Sequence, residues 1–216
     1  ASTLETMGLI ASFICIVLAL SRAAFISYFL VIYIYGWIVS NKKIVHFFHI
    51  GAAIIVLYVF YILEGDLYDF IMNTLTFQNA SSVGHVLEWL NALESMIENP
   101  FGVGLAMSGN SGSVSEDARI GGENQFLIYG VQMGFLGMFL YIFLLGFSIR
   151  RSIKVFRETE NVMSARIAFT AAAVKTGLLL PLFTANAELY TYVSWISWWM
   201  VGYTMNEYSK ILKENA

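Results

Sequence analysis

Charged residues are scarce in this chain: Asp, Glu, Lys and Arg make up only 12% of its 216 residues. A soluble domain carries about 25% charged residues, so the composition is not that of a soluble protein. The single cysteine, Cys15, lies inside an apolar run, which excludes a disulfide framework and gives no indication of the redox compartment. A formal net charge of -3 excludes the basic surface that nucleic-acid binding requires.

Hydrophobic residues, in contrast, make up 58% of the chain, and the mean hydropathy is +0.67. Several stretches approach the ~20 apolar residues with which a helix crosses ~30 Å of hydrocarbon. The aromatic share of 16% fits a membrane protein, because Trp and Tyr favour the interface. The sequence predicts an all-α, polytopic transmembrane helix bundle with about six spans, at 4–20, 23–40, 44–63, 124–149, 166–183 and 188–205.

The boundary between the first two spans is not marked by a turn residue, because no Gly or Pro lies near the middle of the apolar segment 7–39. It is placed instead by two physical arguments. One continuous helix over that segment would be about 50 Å long at ~1.5 Å per residue, which exceeds the bilayer core. It would also bury Arg22 at mid-depth, at a cost of several kcal/mol. A chain reversal at Ser21-Arg22 removes both problems.

The basic residues support this topology. The predicted spans leave Arg22 and Arg119 on one side, Lys175 within a span, and the other Lys and Arg on the opposite side. The positive-inside rule makes that opposite side cytoplasmic, together with both termini. The chain then divides into spans one to three (1–63), a long outer loop (64–122), and spans four to six with a cytoplasmic tail (123–216).

The outer loop contains a helical pattern over 84–98. Val86, Trp89, Leu90, Leu93 and Ile97 recur at a spacing of 3.6, whereas Glu88, Asn91, Glu94, Ser95 and Glu98 face the other way. The pattern predicts a short amphipathic helix that lies against the membrane surface or the bundle, with its acids in water.

Familiar chemical motifs are incomplete. Gly102-Val103-Gly104 lacks the third glycine and the preceding strand of a dinucleotide fingerprint, and no phosphate-binding loop is present. His46 and His49 are interpreted as interfacial anchors, since no carboxylate or Cys joins them as a metal ligand. The sequence therefore predicts neither a metal centre nor a cofactor.

Unusual polar residues remain on the outer face: Arg22, His85, Arg119, Glu123, Asn124 and Gln125. From the residues alone two interpretations stay open. They form a site, or Arg22 extends to lipid phosphates while Glu123 caps a helix. Lys175, inside a span, is interpreted as a transport residue, a lysine paired within the bundle, or one that faces a lipid-diphosphate cleft.

Three short motifs, in order, resemble the O-antigen polymerase and O-antigen ligase family. They are SRAAFISYFL (21–30), GHVLEWLNALESMIENPFGVGL (84–105) and GENQFLIYGVQMGFLGMFLYIFLL (122–145). The family pattern is a Ser-Arg helix start, an outer helix with an Asn-Pro-x-Gly-x-Gly turn, and a helix with a Gly-x-x-Gly bend. The resemblance implies further N-terminal spans, so the chain is expected to be the C-terminal portion of a longer bacterial protein.

Two departures favour a polymerase over a ligase. His85 stands where the family's ligases usually have Arg, and Glu123 stands where they usually have His. The alternatives are a ligase of the same family, or a transporter or flippase for lipid-linked glycans. A structural subunit of a polysaccharide-export complex is a third class.

The resemblance implies transfer of a glycan from undecaprenyl diphosphate to a sugar hydroxyl of an acceptor glycan, outside the bacterial cytoplasmic membrane and without metal or ATP. Glu123 is then the general base, and Arg22 and His85 bind the leaving diphosphate. Asn124, Gln125, Arg119 and Lys175 are the predicted substrate-binding residues. A chain-length regulator and a flippase are possible partner proteins.

The predicted topology can be tested at Ser111, in the outer loop. With Cys15 replaced by Ser to remove the native thiol, Ser111→Cys is expected to react with an impermeant thiol reagent on intact cells or spheroplasts. Labelling that appears only after lysis would place the loop on the cytoplasmic side.

Overall fold

A computed structural model describes residues 3–18, 21–76, 78, 80–109, 120 and 122–214, so Ser111 and Arg119 lie outside the described residues. The helices are α1 (Thr3–Leu18), α2 (Arg22–Ile38), α3 (Lys42–Tyr61), α4 (Asp66–Leu75), α5 (Ala80–Glu98), α6 (Gln125–Glu158), α7 (Val162–Leu178), α8 (Pro181–Thr184) and α9 (Thr191–Glu214), with a 3-10 turn at Ala187–Leu189. The all-α prediction is confirmed. The chain divides into two compact units, Ala1–Tyr35 with Leu145–Ala216, and Gly36–Leu144.

Three described segments are long and apolar enough to cross a membrane: Lys42–Tyr61, Gln125–Glu158 and Val162–Thr184. A shorter apolar segment, Ala23–Ile38, falls within α2. The helices α1 and α9 cover the first and last predicted spans, but neither combines the length and the hydropathy of the three segments above. The number of passes and the sides on which the termini lie therefore stay predictions.

The predicted reversal at Ser21-Arg22 is confirmed. Ser21 stands before α2, where its Oγ accepts a hydrogen bond from the Ala24 N–H (3.3 Å) and its carbonyl accepts one from Phe25 (3.0 Å). A serine at a helix start satisfies donors that have no partner within the helix. Phe13 of α1 packs against Tyr28 of α2, with ring centroids 5.9 Å apart. A continuous helix would separate these rings by roughly 22 Å, so the chain must fold back.

In the unit Gly36–Leu144, α5 runs parallel to the first part of α6. A Cβ on Gly130 would lie 2.5 Å from Met96 Sδ, and one on Gly122 would lie 2.1 Å from Glu88 Oε2. The two pairs have the same separation along the chain, as two helices running in one direction require. Ala92, Met96 and Val131 are fully buried between them. The small Ala92 and the flexible Met96 therefore allow α5 to pack closely against α6.

The helix α6 breaks at Gly134, which has φ 72° and ψ -175°. The turn formed by residues 99–104 enters the break so closely that its backbone touches that of α6. A Cβ on Gly134 would lie 2.1 Å from Pro100 O, and one on Gly102 (φ +88°) would lie 2.4 Å from Gln132 O. Both positions need glycine, for the positive φ and for the close approach.

The 99–104 turn also satisfies backbone groups that the break leaves without helical partners. In an unbroken helix the Phe135 N–H would donate to the Val131 carbonyl. Three backbone hydrogen bonds join turn and helix instead: Val103 N–H to Val131 O (2.8 Å), Gly104 N–H to Gln132 O (3.1 Å), and Phe135 N–H to Pro100 O (3.2 Å). Because an unpaired backbone group inside a protein or membrane costs several kcal/mol, the turn and the bend stabilise each other.

The prediction of which α5 side chains pack inward was partly wrong. Ser95, expected on the water-facing side, is buried. Of the two surroundings expected for the apolar side, membrane surface or bundle, Leu90 and Ile97 do not pack on the described residues and are 56% and 71% exposed. The physical reason is that close packing on Gly130 selects small residues, and the larger apolar side chains remain on the outside, where lipid can meet them.

Substitution of Gly102 tests the closely packed turn. Gly102→Ala is expected to lower the free energy of unfolding by at least about 2 kcal/mol, because the new Cβ meets backbone and the positive φ strains alanine. The measurement is thermal unfolding of the detergent-purified protein. Gly146→Ala is the matched control: Gly146 is also in α6, but nothing lies within 4 Å of its added Cβ. If both variants unfold alike, the turn does not hold the bend.

Candidate functional site

His85 lies on the second turn of α5 and has two close neighbours on that helix. Glu88 Oε2 is 3.6 Å from His85 Nδ1, within ion-pair range when the ring is protonated. The Trp89 ring stacks on the imidazole, with centroids 6.4 Å apart and an angle of 26° between the planes. Residues three and four positions apart share one face of a helix, so this grouping is a direct result of the local sequence. The His85 side chain is 28% exposed and accessible to a ligand.

The segment before α6 lies against this grouping. The Glu88 carboxylate fills the space beside Gly122, where an added Cβ would lie 2.1 Å from Oε2 and 2.5 Å from Cδ. Gly122 has φ +55°, a conformation that glycine adopts without strain. Glu123 follows directly and is partly exposed. The structure therefore brings His85 and the backbone that carries Glu123 together through Glu88.

Asn124 is the N-cap of α6. Its Oδ1 accepts hydrogen bonds from Phe126 N (3.0 Å) and Leu127 N (3.2 Å), and its carbonyl accepts one from Ile128 N (2.9 Å). Asparagine is among the strongest N-cap residues. The capping role that one interpretation gave to Glu123 is thus performed by the next residue.

Gln125 is fully buried at the start of α6. Neither its Oε1 nor its Nε2 makes a hydrogen bond to a described residue, and the same holds for Trp89 Nε1. Burying an amide without a partner costs about 1–3 kcal/mol. A water or ligand hydroxyl that reached these atoms would be bound favourably.

The geometry of this grouping is described without two of the predicted cations, Arg22 and Arg119. Arg22 is the first residue of α2, directly after the capping Ser21, and belongs to the other compact unit. Arg119 is outside the described residues. In the unit Gly36–Leu144, the predicted site residues whose surroundings are described are His85, Glu123, Asn124 and Gln125.

Lys175 is fully buried in α7, in the unit Ala1–Tyr35 with Leu145–Ala216. Its Nζ donates to Glu188 Oε1 and to Ser197 Oγ (2.9 Å), and lies 3.6 Å from the centre of the Trp198 ring. The second carboxylate oxygen of Glu188 accepts a hydrogen bond from Trp198 Nε1 at 3.2 Å. Each charge therefore has a hydrogen-bonded partner, as a charge inside a membrane protein requires.

This arrangement corresponds to the interpretation of Lys175 as a lysine paired within the bundle. Its partner Glu188 is only 4% exposed. The ion pair ties α7 to the 3-10 turn before α9, next to the buried contact of Ala171 with Met200 and Val201.

Two side chains that contact candidate residues were not predicted from the sequence, Glu88 and Glu188. Glu88 was assigned to the wet side of α5, although its i, i+3 spacing from His85 was a usable signal. Its contact with Gly122 is long-range and has no local signal. The pairing of Glu188 with Lys175 could have been suspected, because a buried lysine in a membrane needs an acid.

Helical architecture and long apolar segments define an all-α membrane protein. The family model described as O-antigen ligase matches residues 7–142, more than half of the chain, and the chain belongs to that family. No curated protein and no solved structure matches it. The match includes both α5 and the start of α6, so the candidate site lies within the family's shared region. Membership indicates an enzyme of glycosyltransferase type that acts on lipid-linked glycans in a membrane.

The ion pair gives a prediction about Lys175. Lys175→Met is expected to lower the free energy of unfolding by about 3–5 kcal/mol, because it leaves the buried Glu188 carboxylate without its cation. Lys175→Met combined with Glu188→Gln is expected to recover most of that loss. The measurement is thermal unfolding in detergent. A single variant that keeps its stability but loses substrate binding would contradict the structural role and support a substrate-binding one.

Proposed function

We propose that this protein is a polysaccharide polymerase. It transfers a glycan from undecaprenyl diphosphate to a sugar hydroxyl of an acceptor glycan, at the outer face of the bacterial cytoplasmic membrane. A C–O bond forms between the acceptor oxygen and the anomeric carbon, and the bond from that carbon to the diphosphate oxygen breaks. The acceptor's proton passes to Glu123, and undecaprenyl diphosphate leaves with the negative charge.

The contact between Glu88 and Gly122 is the observation that best supports this site. It brings His85, a residue that can be cationic, beside the backbone that carries a partly exposed carboxylate at the start of an apolar helix. A general base must be positioned close to the proton that it accepts. A leaving diphosphate needs donors or cations in a poorly hydrated place. His85 and Glu123 are suited to these two tasks.

The remaining roles come from the motifs. Arg22, in the Ser-Arg motif, is proposed to bind the diphosphate, because a planar guanidinium forms bidentate contacts with phosphate oxygens. Gln125 is proposed to bind sugar hydroxyls. These hydroxyls would supply the hydrogen-bond partners that its buried amide lacks among the described residues. Asn124 holds the start of α6 with its Oδ1, so its sugar contact would come from Nδ2. Arg119 is proposed to assist binding. No metal or nucleotide is needed for this chemistry.

A polymerase is preferred to a ligase because His85 and Glu123 replace the Arg and His that the family's ligases usually carry. The transporter alternative had its best argument in Lys175. That ammonium is fully buried and is held by Glu188, Ser197 and Trp198, which supports a paired lysine over a transport residue. A flippase and a chain-length regulator are proposed as partners in the same membrane, and both termini are proposed to be cytoplasmic.

Glu123→Gln tests the proposed base. The amide keeps the shape but does not accept the proton, so turnover is expected to fall by at least ~10²-fold while substrate binding changes little. The measurement is the chain-length distribution made by the purified full-length enzyme from lipid-linked repeat units, with a binding assay for the same substrate.

Glu98→Gln, at the exposed end of α5, is the matched control and should polymerise normally. Normal chain growth by Glu123→Gln would remove Glu123 from the mechanism. If the wild-type enzyme instead transferred single glycans to a lipid acceptor without chain growth, the protein would be a ligase.

A further inference from the structure

Glu88 is the residue that joins the two parts of the candidate site. One of its carboxylate oxygens, Oε2, is 3.6 Å from His85 Nδ1. The same oxygen is the atom nearest to a Cβ built on Gly122, at 2.1 Å. An exposed i, i+3 ion pair on a helix surface is worth little by itself. The contact with Gly122, outside α5, distinguishes Glu88 from such a surface pair.

His85 is held on two sides by its own helix. Glu88 lies beside Nδ1, and Trp89 covers one face of the ring. At 3.6 Å this contact is longer than a hydrogen bond, so the Glu88 carboxylate acts on a protonated ring by its charge. With Nδ1 facing Glu88, Nε2 is the nitrogen that a ligand would meet. An imidazolium there is attracted by the Glu88 carboxylate.

We infer that Glu88 is a positioning residue for His85: when the ring is protonated, Glu88 orients the imidazolium so that its Nε2–H donates to the leaving diphosphate. The inference rests on the proposed function. Gly122 is the residue that makes room for the carboxylate, because any larger side chain there would occupy the space of Glu88 Oε2 and Cδ.

Activity gives the first test. Glu88→Gln in the full-length enzyme is expected to lower kcat about tenfold, the size of one charged contact, with little change in KM for lipid-linked repeat units. Glu94→Gln is the matched control, since Glu94 is exposed on the same helix, and it should behave as wild type. In a His85→Ala background, Glu88→Gln is expected to have no further effect on kcat. Independent, multiplicative losses would overturn the inference.

A second measurement does not depend on turnover. The ring-nitrogen NMR signals of ¹⁵N-histidine-labelled protein report the tautomer, and His85→Ala identifies which signals belong to His85. Glu88→Gln is expected to shift the His85 signals, and Glu94→Gln to leave them in place. Unchanged His85 signals in Glu88→Gln would overturn the positioning contact, whatever the activity.

The two readouts separate the inference from the function. If wild type is active, Glu123→Gln is inactive and Glu88→Gln is normal in both measurements, the inference fails and the polymerase proposal stands. If wild type transfers no glycan, the polymerase proposal fails. The NMR comparison then still decides whether Glu88 orients His85.

Discussion

The break at Gly134 is the constraint on which the arrangement of α5 and α6 depends. A helix that opens inside a membrane protein exposes backbone groups that hydrocarbon cannot satisfy. Here the 99–104 turn fills the opening with three backbone hydrogen bonds. Because the turn follows α5 directly, satisfying the break also fixes where α5 ends and how it lies along α6. The position of Glu88 beside Gly122 follows from this backbone requirement, because α5 continues without a break from Glu88 to the turn.

The sequence predicted the features that follow from a lipid surrounding and from the spacing of nearby residues. Apolar content and run length indicate membrane helices, and the joint argument from helix length and the cost of burying Arg22 located the reversal at Ser21. The helix over 84–98 was visible in its period, although α5 begins earlier, at Ala80. The bend in α6 was expected only through the family's Gly-x-x-Gly pattern.

Three features could not be predicted, for physical reasons. In a membrane protein an apolar stripe may face lipid or protein, so periodicity could not tell that Ala92 and Met96, rather than Leu90 and Ile97, pack on α6. The contact between Glu88 and Gly122 depends on the parallel register of two helices, which no local pattern encodes. The partner of Lys175 follows the helix break around Pro181, and the chain path through that break sets which acid can reach the ammonium.

The buried pair of Lys175 and Glu188 bears on how the chain enters the bilayer during synthesis. A lysine at the centre of an inserting helix is penalised by about 2.5–3.5 kcal/mol, and an aspartate similarly. These penalties are reduced if the two segments enter as one hairpin, with the ammonium and the carboxylate neutralising each other on the way in. Glu188 emerges from the ribosome after Lys175, so α7 gains its counter-ion only once the following turn has been made. Integration of the last third of this protein is therefore expected to be a joint event of α7 and the segment that leads to α9, not a sequence of independent insertions.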